Sequence, residues 1–427
     1  MWEQSFRGGR SFRFACRTEE ILLVEDLLAA QGISCQREIF HPLAARALSD
    51  AHAPALGASV AHFFGLIYIQ DFASMLPPLA LAPPTGARVL DMCASPGGKS
   101  GFLASMIGLE GLLIANEPNP ARLAMLRQNM NRENRVQVVT SAYKGQELPL
   151  PDNSCPYILL DAPCSGWGTE KKHPGIKKLW HGQKIAPLIA LQKLLLQKAS
   201  SLLAPGGRLI YSTCTTNERE NEAQIDFALR CGLVIEPLGS VSDFVCEFCS
   251  EGFWKVDGEK SGSQDFFVAS LRKPPLCEVI DDSHALQDMD TYPLDDLGKI
   301  KLNGFIPDWA LVFKHGLKLL RREELLFLVP AKAAGLPRGF QWQGLRAGHL
   351  AGGQVHINPR LRLLLPPYSR QSGFINIEDA TPLEALLSGQ SIKSATGLAS
   401  GWNGLYFRGL PLGLLKIRDK RIIWTDR

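Results

Sequence analysis

Short apolar runs alternate with longer amphipathic stretches from Ala87 to Lys273. The runs ARVLDMC, GLLIANE, VQVVTS, YILLDAP, GRLIYSTC, LVIEPL and DFFVASLRK predict strands. The stretches KSGFLASMIG, NPARLAMLRQNMNREN, APLIALQKLLLQKASSLLA and NERENEAQIDFALRC carry apolar residues at helical spacing and predict the helices between them. Unbroken apolar strands flanked by helices are buried on both faces. They imply an α/β fold with a mainly parallel, doubly wound sheet. In such a sheet ligands sit at the carboxyl ends of the strands.

Outside that region the pattern changes. Residues 1–75 read as a small α/β unit, in which EEILLVEDLLAAQGI is an amphipathic helix closed by Gly32. The following segment, ALGASVAHFFGLIYIQDFASMLPPLAL, predicts a strand and a helix broken by Pro77 and Pro78. The strand–helix alternation defines a domain over 76–273, residues 274–298 read as an acidic linker, and 299–427 as a C-terminal region of short strands. There INIEDATPLEALLSGQ predicts a helix with Pro382 in its first turn, and GWNGLYFRGLPLGLLKIRDKRIIW predicts hairpins with Gly-marked turns.

Charge sharpens this division. The chain of 427 residues has a net charge of only +4. Residues 299–427 hold 19 Lys and Arg against 8 Asp and Glu, whereas 278–298 hold 7 acids and no Lys or Arg. A basic module behind an acidic spacer implies a polyanionic partner. The ten cysteines form no disulfide framework, and several fall in apolar strands. That usage implies a reducing cytoplasm. No apolar run is long enough to span a membrane. Cys246 and Cys249 form a C-x-x-C without a second pair, so no metal site is expected.

Three strand-to-loop junctions concentrate the chemistry. DMCASPGGKS lacks the G-x-G-x-x-G of a dinucleotide site, which disfavours a nicotinamide oxidoreductase. Its small residues still let a ligand approach the backbone at a helix N-terminus. Glu117 ends the next strand, where an acid suits a ribose diol. A ribose without a pyrophosphate fits S-adenosylmethionine. Cys164 in LDAPCSGWG and Cys214 in YSTCTTNERENE each end a strand, and Asp161 stands beside the first. A thiolate is the natural nucleophile for an electron-poor pyrimidine ring. Spacing leaves open which cysteine attacks.

DMCASPGGKS, LDAPCSGWGTEKKHPG, YSTCTTNERENE and GLIYIQDFASMLPPLAL resemble motifs of the Fmu/NOP2/Sun family of RNA cytosine-5 methyltransferases. The resemblance runs from about residue 10 to Lys273. More distantly, LYFRGLPLGLLK is similar to the PUA-like RNA-binding end of the bacterial 16S rRNA methyltransferase branch. The resemblance implies a Rossmann-like fold, S-adenosylmethionine as cofactor, and structured RNA as substrate, rRNA ahead of tRNA. It implies a monomer that extrudes its target base. It assigns the nucleophile to Cys214 and product release to Cys164, with Asp161 and Lys99 beside the base. It implies that Cys93, Ala94, Ser95, Pro96, Gly97, Gly98, Lys99, Glu117, Arg122 and Asp161 hold the cofactor. One departure stands out: family members carry an acid after the third strand that meets the adenine, and here the stretch is TSAYKGQE. Ser141, Tyr143 or backbone is the expected substitute.

Overall fold

A computed structural model describes residues 9–171, 173–241, 244, 246–248, 252–275, 316–352, 354–369, 374–393, 398 and 400–425. The acidic stretch 278–298, the first part of WALVFKHGLKLL, and Cys249 lie outside the described residues.

The N-terminal part forms a sheet from β1 (Arg10–Phe14), β2 (Ile33–Arg37), β3 (Ala44–Ser49) and β4 (Ile67–Ile69), in the order β2-β3-β1-β4. The expected helix runs Ile21–Ala29, and Gly32 takes the left-handed φ of 74° that turns the chain into β2. Pro77 and Pro78 do not break a helix. They open one, Leu76–Leu81, because a proline in the first turn forfeits no intrahelical hydrogen bond.

The apolar runs that follow become β5 (Arg88–Asp91), β6 (Leu112–Asn116), β7 (Val138–Ser141), β8 (Cys155–Asp161) and β9 (Leu203–Thr213). These pair in parallel, in the order β9-β8-β5-β6-β7. The sheet is not parallel throughout. β13 (Phe266–Arg272) lies antiparallel on β9 and is followed by β12 (Phe253–Val256) and β11 (Cys246–Phe248), while LVIEPL supplies only the two-residue β10 (Val234–Ile235) on β13. Among the described residues no helix follows β10 to carry the chain back, so successive strands pair as hairpins.

Side chains alternate across the parallel strands. Leu90, Ile114 and Leu160 face the helices Ala186–Leu202 and Glu222–Arg230, while Val89, Leu113 and Leu159 face Gly98–Ile107 and Pro120–Arg132. Two apolar layers thus cover both faces, which accounts for runs without polar interruption.

The C-terminal part is rich in β structure. A meander joins β14 (Leu317–Arg322), β15 (Leu325–Pro330), β16 (Leu345–Ala351) and β17 (Gln354–Ile357). A second sheet has the order β18-β20-β21-β22-β19, from β18 (Ile375–Ile377), β19 (Ile392–Lys393), β20 (Gly401–Phe407), β21 (Leu410–Arg418) and β22 (Arg421–Ile423). The predicted helix from Ile375 begins late, at Ala380, where Asp379 caps it. INI is a strand because it pairs in parallel with β20. Both sheets are fused to the rest. Phe327, Phe340 and Trp342 share a core with Leu148 and Leu195, and Phe407 and Trp424 share one with Phe12 and Phe14. Thr140 and Gln343 exchange backbone hydrogen bonds of 2.8 and 2.9 Å.

Candidate active site

The loops that end β5, β6, β8 and β9 gather at one edge of the sheet. After β5 the chain turns through Cys93–Gly97 and enters a helix at Gly98. Gly97 adopts φ 111°, and a Cβ there would stand 2.8 Å from Met130 Cε. A Cβ on Gly98 would lie 2.7 Å from Gln70 Oε1 and 2.9 Å from Tyr68 Cε1. Only glycine allows this turn to pack so closely. Ser95 donates its hydroxyl to Arg122 O, and Asn129 Nδ2 donates to Pro96 O, which anchor the turn to the next helix. Ala94 is buried, and burial holds the Cys93 thiol well above its ordinary pKa.

Asp161 ends β8 opposite Ser212 of β9. Its carboxylate receives the Ser212 hydroxyl at 2.7 Å and the Lys99 ammonium at 2.7 Å. Burial pushes the Lys99 pKa down, but the Asp161 carboxylate outweighs it and the net shift is upward. Lys99 at a helix start is unfavourable for the dipole, and this ion pair supplies the compensation. Cys164 and Cys214 bring their sulfurs to 3.3 Å. The Cys214 thiol is lowered, first by its hydrogen bond with Cys164, with the Lys99 charge acting in the same direction against burial. Cys164 is pushed well up by that same hydrogen bond and by burial. Of the pair, Cys214 is the thiol held lower.

Glu117, 3% exposed, accepts Asn119 N at 2.9 Å and pairs with Arg122 at 3.2 Å. Arg122 also donates to Ser95 O at 3.1 Å, so the two loops are tied together. Sequence reasoning missed Asn116, which is fully buried at the end of β6. It accepts the Ser141 hydroxyl and Tyr143 N, and donates to Tyr143 O and Met92 O. The Tyr143 hydroxyl accepts Gln341 N at 2.8 Å, and its ring stacks on Phe340 with centroids 5.3 Å apart. The hydroxyls of Ser141 and Tyr143 thus both have partners within the protein.

A cavity of about 460 Å³ opens against the turn, with Asp91, Cys93, Ser95, Gly98, Lys99 and Asp161 in its wall. Glu117 and Arg122, expected to hold the cofactor, are not in its wall; Arg122 reaches it only by its bond to Ser95 O, and Glu117 only by its pair with Arg122. The residues present fit S-adenosylmethionine. Asp91 Oδ1 is buried without a hydrogen-bond partner among the described residues, and burial raises the carboxyl to about 7. Its other oxygen accepts the Ser100 hydroxyl at 2.7 Å, and one free carboxylate oxygen beside a turn whose two glycines admit no Cβ suits a cationic ligand with an ammonium group. Asp91 could not be singled out in the sequence, since the burial of its free oxygen becomes visible only when the turn closes over it. Among the described residues no group of three or more acidic, His or Cys side chains is placed to hold a metal. No described helix is long and apolar enough to cross a membrane.

The family model of the 16S rRNA methyltransferases RsmB/F matches residues 78–272. The chain is 33% identical over 293 residues to the ribosomal RNA small subunit methyltransferase F of Serratia proteamaculans, covering 66% of this chain and 60% of that one. It is 30% identical over 386 residues to the enzyme of the same name from Salmonella newport, covering 87% of this chain and 80% of that one. A solved methyltransferase homologue from Pyrococcus horikoshii superposes with a TM-score of 0.50 at 28% identity, covering 62% of this chain and 86% of that chain. The cofactor of the family is S-adenosylmethionine. A cofactor turn, a strand-end acid and paired thiols on a methyltransferase sheet therefore sit in a chain that belongs to the RsmB/F family of 16S rRNA methyltransferases.

Proposed function

We propose that this chain methylates carbon 5 of a cytosine in small-subunit rRNA, through a covalent adduct between Cys214 and carbon 6, acting as a monomer in the cytoplasm. One observation carries the reading: two thiols 3.3 Å apart, the Cys214 one lowered, beside an acid that is bonded to an ammonium. S-adenosylmethionine, held by the Cys93–Lys99 turn with Glu117 and Arg122, supplies an electrophilic methyl group. Carbon 5 of cytosine is too poor a nucleophile to take it unaided. Addition of the Cys214 thiolate to carbon 6 pushes electron density to carbon 5 and to ring nitrogen 3. Asp161, drawing on the Lys99 ammonium at 2.7 Å, delivers a proton to nitrogen 3 and removes the charge that would reverse the addition. Once carbon 5 is methylated, its own proton passes to water and the sulfur–carbon bond breaks. Cys214 then departs with the bonding pair as thiolate, nitrogen 3 returns its proton through Asp161, and the Cys164 thiol stabilises the departing sulfur by donating S–H.

The basic C-terminal region supports an RNA substrate, and the names of the relatives support small-subunit rRNA as its source. The test is methyl transfer from labelled S-adenosylmethionine to small-subunit rRNA, with denaturing gels to detect protein joined to RNA. Cys214→Ser should abolish transfer and leave no adduct. Cys164→Ala should accumulate the adduct. The opposite pattern would exchange the two roles, and methylation by Cys214→Ser would end the covalent reading.

A further inference from the structure

Cys164 and Cys214 belong to different loops, and the sheet alone does not set their separation. The last backbone bond between the two strands runs from Ala162 N to Ser212 O at 2.9 Å, and both thiols lie beyond it. Beyond it Gly168 N donates to Cys214 O at 3.0 Å, and the side chains that span the gap come from the segment after Cys214. The carboxylate of Glu220, wholly buried, accepts the Ser165 N–H on both oxygens, at 2.9 and 3.2 Å. Its carbonyl accepts the Tyr211 hydroxyl at 2.6 Å. The neighbouring Asn221 accepts the Thr213 hydroxyl at 2.6 Å and donates to Thr215 O at 2.9 Å. Ser165 and Thr215 close the frame through their hydroxyls at 2.8 Å. Two adjacent residues therefore grip one cysteine loop each.

The grip is made where it is costly. Burial raises the Glu220 carboxyl, and the Ser165 N–H only partly offsets this. Glu220 has no ion pair among the described residues. Burying a carboxylate is costly, and the largest single offset here is the bond to one backbone N–H, which that bond holds in place. The N–H in question follows Cys164 directly.

We infer that Glu220 is a positioning residue of the reaction: through Ser165 N–H it fixes the Cys164 sulfur against Cys214, and so governs the release step without touching RNA or cofactor. This rests on the roles proposed above for the two cysteines, so the experiment reads thiol geometry separately from chemistry. The full chain is treated with diamide, a thiol oxidant. The two thiols lose two hydrogens to diamide as the sulfur–sulfur bond forms, and intact mass gives the rate of closure. The variants are Glu220→Ala, Glu220→Gln and Glu220→Asp. Binding of S-adenosylhomocysteine by calorimetry confirms that each is folded.

Glu220→Ala should slow closure by about ten- to a hundredfold, the scale of a misplacement of about 1 Å at a reacting pair. It should also trap the RNA adduct, with cofactor affinity unchanged. Glu220→Gln keeps an oxygen for Ser165 N–H and should recover most of the rate. If Glu220→Ala fails to fold, Glu220→Asp makes the same test, because it keeps the charge and withdraws it from Ser165. Closure at the wild-type rate in a folded Ala or Asp variant overturns the inference. Slowed closure in Glu220→Ala together with methylation by Cys214→Ser would sustain the positioning role and refute the assignment of the nucleophile.

Discussion

At the scale of single residues, Asp91 makes the pH behaviour predictable. Burial pushes its carboxyl up to about 7, from the 3.8 of a free side chain. Between those values the unfolded chain has shed the proton and the folded chain still holds it. The protonated form therefore contributes stability that is complete below about pH 4 and lost as pH rises through about 7. Asp91→Asn cannot titrate. Its urea midpoint, measured without cofactor, should gain on wild type steadily from pH 4 to 7 and then run parallel; parallel curves throughout would contradict the shift. Asp161→Asn keeps the bond from Ser212 but loses the ion pair to Lys99. A loss of about two to four orders of magnitude in methylation rate is expected, as for a positioned acid–base group, with cofactor affinity little changed because the turn, Glu117 and Arg122 remain. Activity near wild type would remove Asp161 from the mechanism. Cys164, Cys214, Asp161 and Lys99 were legible in the sequence because each lies in a motif at a strand end. Asp91, Asn116, Ser212 and Glu220 were not, because what they do depends on partners supplied by another loop.

At the scale of elements, the cofactor turn is the most constrained. Gly97→Ala would place a methyl group against Met130 in a backbone conformation that side chains avoid, at a cost of about 1–3 kcal/mol. Thermal unfolding should show that loss, and calorimetry should show weakened cofactor binding. Retention of both would mean that the turn relaxes freely. The parallel strands were readable because burial on both faces leaves an unbroken apolar run. β11 and β12 were not, since CEF and FWKV are short and mixed, and only pairing with β13 makes them strands. The same holds for β18, whose INI blends into the helical pattern after it.

At the scale of the whole molecule, charge separates what packing unites. The excess of Lys and Arg after residue 299 implies a docking surface, yet the sheets that carry it share cores with the catalytic and N-terminal parts. Deleting the region would expose those cores, so surface charge is the better probe. Lys393, Lys416 and Lys420 are exposed on the second C-terminal sheet. Changing all three to Glu should weaken RNA binding and lower the salt slope by about 2–3, at ~0.9 per phosphate contact, without moving the melting temperature. An unchanged slope would assign the RNA path elsewhere. The shared core between Phe12, Phe14 and Trp424 also bears on how the chain is made. Gln31 bonds Glu384 at 2.7 Å, and the Trp424 ring packs on Phe64 with centroids 5.2 Å apart. Segments about 400 residues apart in the chain thus complete one core. At about 5–20 residues per second, the wait between them lasts tens of seconds. During synthesis the N-terminal sheet is left half covered and open to chaperones until the segment around Trp424 has been made and can close the core.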